Sequence, residues 1–110
     1  NMSSQVEIVY HHYIIVRDDL SKGVLSAQIV HAAGESNPAQ IRANAVVLEI
    51  SREKLLEIEK DLCSNDIEHV AIREPDAPFN NDITTIGIFP VLRSKNKTLR
   101  RIISGLKLLR

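Results

Sequence analysis

The sequence predicts an α/β fold: a single layered domain with a mixed sheet of about four strands, flanked by helices on both faces. Three observations carry this. Strand-like and helical periodicities alternate along the chain in the order β-α-β-α-β-β-α. The run YIIV at 13–16 is apolar on both faces, the pattern of a central strand covered by helices on two sides. The length of 110 residues, with 44% hydrophobic and 25% charged side chains, suits one domain that buries roughly two thirds of its unfolded surface.

Residues 1–9 are read as a flexible N-terminus, with Asn1 set aside as a remnant of expression cloning, and 10–110 as the folded domain. β-Branched and aromatic residues place the first strand over 10–17. Ser21 is the expected N-cap of a helix over 22–36, which Pro38 brings to a stop. On that helix Val24, Gln28, His31 and Glu35 form one line, and Leu25, Ala27, Ile29, Val30, Ala32 and Ala33 are expected inside the core. AVVLEI at 45–50 reads as the second strand. Ser51 then caps a helix whose Leu55, Ile58 and Leu62 form a buried stripe. Strands follow over 67–73 and 83–89, separated by the loop EPDAPFNND. A last helix is expected over 96–109, burying Leu99, Ile102, Ile103, Leu106 and Leu109.

The composition excludes several classes. The single cysteine, Cys63, cannot form an intrachain disulfide or a thiolate metal cluster, which suits a reducing, cytoplasmic compartment. No apolar run approaches the roughly 18 residues of a membrane span, and no signal-peptide layout is seen. Net charge is zero but uneven. Arg93, Lys95, Lys97, Arg100, Arg101, Lys107 and Arg110 make up seven of the 14 basic residues, and no acidic residue follows Asp82. Such a basic flank points to an anionic partner, nucleic acid first; a solvated helix face is the plainer reading.

Ligands in open α/β sheets gather beyond the carboxyl ends of strands, near helix N-termini. Three features fall there: Arg17, Asp19, Lys22 and the Gly23 backbone; the loop Glu74-Pro75-Asp76; and Thr84-Thr85. A carboxylate, a lysine and a hydroxyl suffice for ester hydrolysis. Each has a bland counterpart, since Glu74 and Asp76 fit turn positions, the threonines fit any strand, and His31 fits a satisfied core histidine. GxSxG, HExxH, P-loop and GxGxxG motifs are absent.

Arg17-Asp18-Asp19-Leu20, Lys22-Gly23 and Ala27-Gln28-Ile29-Val30-His31-Ala32-Ala33 resemble the type-2 peptidyl-tRNA hydrolases, and the likeness runs from about residue 13 to 109. That family hydrolyses the ester joining a peptide to tRNA, needs no metal or other cofactor, and commonly forms dimers. The resemblance therefore implies hydrolysis of peptidyl-tRNA, or of a related acyl-tRNA ester, by a homodimer. Its catalytic residues would be Lys22, Asp76 and Thr84, with Arg17, Asp19, Gln28, His31, Arg93, Lys95 and Lys97 binding substrate. One departure stands out: the lysine to which the family assigns catalysis falls at Val24, and Lys22 matches its neighbour. Valine cannot stabilise developing negative charge. The alternative expectation is therefore a catalytically silent tRNA-, RNA- or protein-binding module that kept the fold. A homodimeric structural protein with no nucleic-acid role is a third.

Overall fold

The computed structural model describes residues 8–92 and 95–110, so most of the expected flexible N-terminus (residues 1–7) and Arg93 lie outside the described residues. The elements are β1 (Tyr10–Arg17), α1 (Lys22–Glu35), β2 (Asn44–Ile50), α2 (Arg52–Ser64), β3 (His69–Glu74), β4 (Asp82–Ile88), β5 (Val91–Leu92), α3 (Lys97–Ile103) and β6 (Lys107–Leu108). They form the expected α/β domain with a mixed sheet. It has six strands rather than about four, because two pairs of residues near the C-terminus add short strands.

The sheet runs β3-β4-β1-β2-β6, with β5 also paired to β1. β1 lies at the centre, parallel to β2 and antiparallel to β4. Its Ile14, Ile15 and Val16 are all buried, one set facing each layer of helices. On one side Ile14, Val16 and Ile72 pack with α1 through Ala32, Leu25, Ile29 and Ala33. On the other, Ile15, Ile83, Ile86 and Ile88 meet Leu55, Ile58 and Leu62 of α2 and Leu99 of α3. Each fully buried Leu or Ile contributes about 1.5–3 kcal/mol, so this second layer dominates the core.

Two expectations are corrected. The final helix does not reach residue 109. It stops at Ile103, Gly105 takes φ +85, and the chain turns into β6, antiparallel to β2. A positive φ of this kind is routine for glycine and costly for other residues. Leu106 thus packs on the α2/α3 side and Leu109 on the α1 side. The second correction concerns α1, which is not buried all round. Its buried stripe is Gln28 and Ala32, flanked by half-buried Leu25, Ile29 and Ala33, whereas Val30 is 70% exposed. No helix among the described residues is long and apolar enough to cross a membrane.

Candidate functional site

The carboxyl ends of β1 and β3, the start of α1 and the start of β4 meet at one end of the sheet. Antiparallel pairing sets Glu74 opposite Asp82 there, and a tight loop joins them. Asn81 N–H donates to the Glu74 carbonyl (2.7 Å) and Phe79 N–H to the Asp76 carbonyl (2.9 Å). The turn is further shaped by left-handed backbone at Asn80 and Asn81, which asparagine tolerates well.

The register of β3 against β4 slips at this end. Ile72 faces Thr85 and Arg73 faces Ile83, so Thr84 is an extra residue without a cross-strand partner. Such a bulge re-aims a side chain. Thr84 is fully buried and points to α1, where its Oγ1 donates to Gln28 Oε1 at 2.6 Å. Gln28 Nε2 donates in turn to Glu74 Oε2 at 2.9 Å. Thr85 Oγ1 stands 3.5 Å behind Thr84 Oγ1. Gln28, only 3% exposed, is thus a core residue with both ends of its amide engaged. α1 is held hard against β4 further along: a Cβ on Gly87 would sit 2.5 Å from Ser36 Oγ and 2.6 Å from the Ala32 carbonyl oxygen.

Above this relay lies an open cavity of about 370 Å3. Val24, Ala27, Ala77 and Phe79 form its apolar wall, Gln28, Glu74 and Asp76 its polar part, and Gly23 closes one side. Among the described residues, no lysine, arginine or histidine lines it. Glu74 is half-buried and Asp76 exposed, and the Asp76 N–H donates to Glu74 Oε1 at 3.3 Å.

Arg17 lies beside the cavity, engaged elsewhere. It forms a two-pronged pair with Asp19 (2.9 and 2.7 Å), reaches Asp82 at 3.3 Å and the Ile83 carbonyl at 3.1 Å, and its guanidinium stands 5.3 Å from the Phe79 ring centre. Arg52 of α2 closes the network on the far side of Asp82. Hydrogen bonding to Arg17 holds the Asp19 carboxyl below its ordinary value, and Arg52 does the same for Asp82. The same Asp19 bond raises Arg17. This network fastens the β3–β4 loop to β1 and α2 and keeps Phe79 in the cavity wall.

The structure therefore brings together Gln28, Thr84 and Asp76, with Arg17 and Asp19 adjacent. Lys22 is exposed at the first position of α1 and does not line the cavity. His31 is exposed on α1 and does not line the cavity. Lys95 and Lys97 lie at the opposite end of the sheet: β5 pairs with Tyr10 and His11 at the start of β1, and Lys95 N–H binds the Leu92 carbonyl. Eight strand residues at ~3.3 Å each set these lysines roughly 25 Å from the cavity end. Sequence reasoning kept Glu74 among the candidates through its loop but gave the carboxylate role to Asp76, and it left Phe79 off the site. Phe79 had a signal, as one of two phenylalanines in the chain and the one aromatic residue of a polar loop.

No protein-family profile matches this sequence. No curated protein matches it. Among solved structures it is similar to a protein of unknown function from Agrobacterium tumefaciens strain C58, at 19% identity and a TM-score of 0.57, covering 94% of this chain and 100% of that one. At that identity the likeness speaks for the fold alone.

Proposed function

We propose that this chain is a cytoplasmic RNA-binding module on the architecture of the type-2 peptidyl-tRNA hydrolases, with tRNA the first candidate ligand and hydrolysis lost. One observation supports it most. Lys95, Lys97, Arg100 and Arg101 are exposed and make no ion pair among the described residues, while the candidate site carries two carboxylates and no cation. Anionic backbone is attracted to the first surface and repelled from the second. A homodimer, as the resemblance implies, completes the proposal. Titrating tRNA at several salt concentrations tests it. Affinity should fall steeply with log[salt], and a Lys97→Ala/Arg100→Ala/Arg101→Ala variant should flatten that slope by about two to three units. Binding that ignores salt would remove the RNA reading.

A second reading has its own support. The bulge aims the buried Thr84 at Gln28, and Gln28 lines one cavity with the carboxylates of Glu74 and Asp76, a grouping compatible with a water-orienting hydrolytic site. In that case Asp76 orients water, Thr84 with Gln28 positions the ester, and Lys22 swings in from the start of α1 to stabilise charge.

A further inference from the structure

Thr85, Thr84 and Gln28 are three of the six buried polar or charged side chains among the described residues. Buried polar groups are costly unless fully partnered, and when partnered they fix one geometry. Here their hydrogen bonds run in one direction, from Thr85 to Thr84 to Gln28, and end on the half-buried carboxylate of Glu74. Each Glu74 oxygen accepts one hydrogen bond, from Gln28 and from the Asp76 N–H, which leaves acceptor capacity on both. The cavity that Glu74 lines holds a second carboxylate, Asp76, and, among the described residues, no basic side chain, and Val24, Ala27 and Phe79 supply an apolar wall. Arg17, the nearest buried cation, is already shared between Asp19 and Asp82.

We propose that this cavity binds a primary ammonium group carried on a small apolar body, with Glu74 contacting it and Gln28 and Thr84 acting as positioning residues behind Glu74. An ammonium brings three donors and one positive charge to Glu74 and Asp76, the two charged side chains that line the wall among the described residues. A phosphate or carboxylate group would meet two like charges instead. The apolar wall suits an attached methyl or methylene chain better than a hydrated divalent ion.

The test is an NMR titration of the 15N-labelled full chain with four probes: alanine methyl ester, its N-acetyl counterpart, N-acetyllysine methylamide and inorganic phosphate. The amides of Val24, Gln28 and Glu74 should shift and saturate with an ammonium-bearing probe, and the acetylated ester should bind about tenfold more weakly or not at all. Preference between alanine ester and lysine amide separates an α-amine from a side-chain amine as the source. Glu74→Gln keeps the shape and an acceptor for Gln28 but removes the charge, and should weaken ammonium binding about tenfold; Asp76→Asn should weaken it less. Thr84→Val should weaken it while Thr84→Ser restores it. Equal binding of free and acetylated esters, saturation by phosphate, an unaffected Glu74→Gln variant, or no saturable binding by any probe would each overturn the proposal. None of the probes contains a nucleotide, so the result stands apart from the RNA reading.

Discussion

Thr84 and Glu74 sit on neighbouring strands yet communicate through a residue of the covering helix: Gln28 accepts from Thr84 at 2.6 Å and donates to Glu74 at 2.9 Å. The bridge exists because a one-residue bulge turns Thr84 towards α1. Removing the Thr84 hydroxyl leaves the buried Gln28 oxygen without its donor. Thr84→Val should therefore cost about 1–3 kcal/mol in denaturant unfolding, with Thr84→Ser recovering most of it. A change within about 0.3 kcal/mol would mean that the bridge does not hold the two layers together.

Gly87 sets the approach of α1 to β4. Alanine there places a methyl against the Ser36 hydroxyl and the Ala32 carbonyl, both well inside contact distance. Overpacking of this kind costs about 1–3 kcal/mol or more. Gly34, in the helical backbone of α1, has open space where a Cβ would sit. Gly34→Ala should instead stabilise by about 0.5–1 kcal/mol. Thermal unfolding of the two variants should move in opposite directions from wild type.

Acid should loosen the fold through Asp19 and Asp82. Both carboxyls are held below their ordinary 3.8, by Arg17 and Arg52 respectively. Their contribution is complete above about pH 4–5 and is lost as pH falls through the lowered folded values, since the unfolded chain then binds protons more readily. Unfolding midpoints measured from pH 5 to 2 should fall more gently in Asp82→Asn, which has already lost its part. Asp82 is half-buried, and solvent screening leaves its share a fraction of the ~1.4 kcal/mol that one full pKa unit represents.

His12 acts in a higher window. It is buried with Nε2 2.6 Å from Ser36 Oγ, which itself donates to the Ala32 carbonyl, and burial pushes its pKa below 6.5. The folded protein thus resists a proton that the unfolded chain accepts. Stability present above pH 6.5 is lost as pH falls through the lowered value, at no more than ~1.4 kcal/mol per pH unit for one group. Denaturant curves between pH 7.5 and 5 should show that slope in wild type and lose it in His12→Gln.

The sequence makes the first two thirds of the fold legible because each element there announces itself locally. β1 matches over 10–17, α1 starts at Lys22, and Ser51 caps α2 by accepting from Lys54 N–H. The C-terminus misleads because Leu106 and Leu109 continue a helical spacing past Gly105. What ends the helix is pairing with β2, a strand some sixty residues earlier, and periodicity carries no trace of that. α1 misleads in a similar way. Its residues are apolar almost all round, and only the tertiary contact decides that Gln28 goes in and Val30 goes out. The position of Gln28 near the turn was readable, and so was the pairing of Asp76 with Thr84 as candidates. The bulge that aims Thr84, and with it the role of Glu74, depends on strand register and had no local signature.

The most direct test of the account is turnover of peptidyl-tRNA by the wild-type chain at a concentration well above its measured tRNA affinity. With Val24 at the cavity and no cation lining it among the described residues, tRNA should be released no faster than with the Asp76→Ala variant or buffer, even as tRNA binds. Turnover that exceeds both, and that falls in Lys22→Ala and Thr84→Val, would contradict it and establish the cavity as a hydrolytic site.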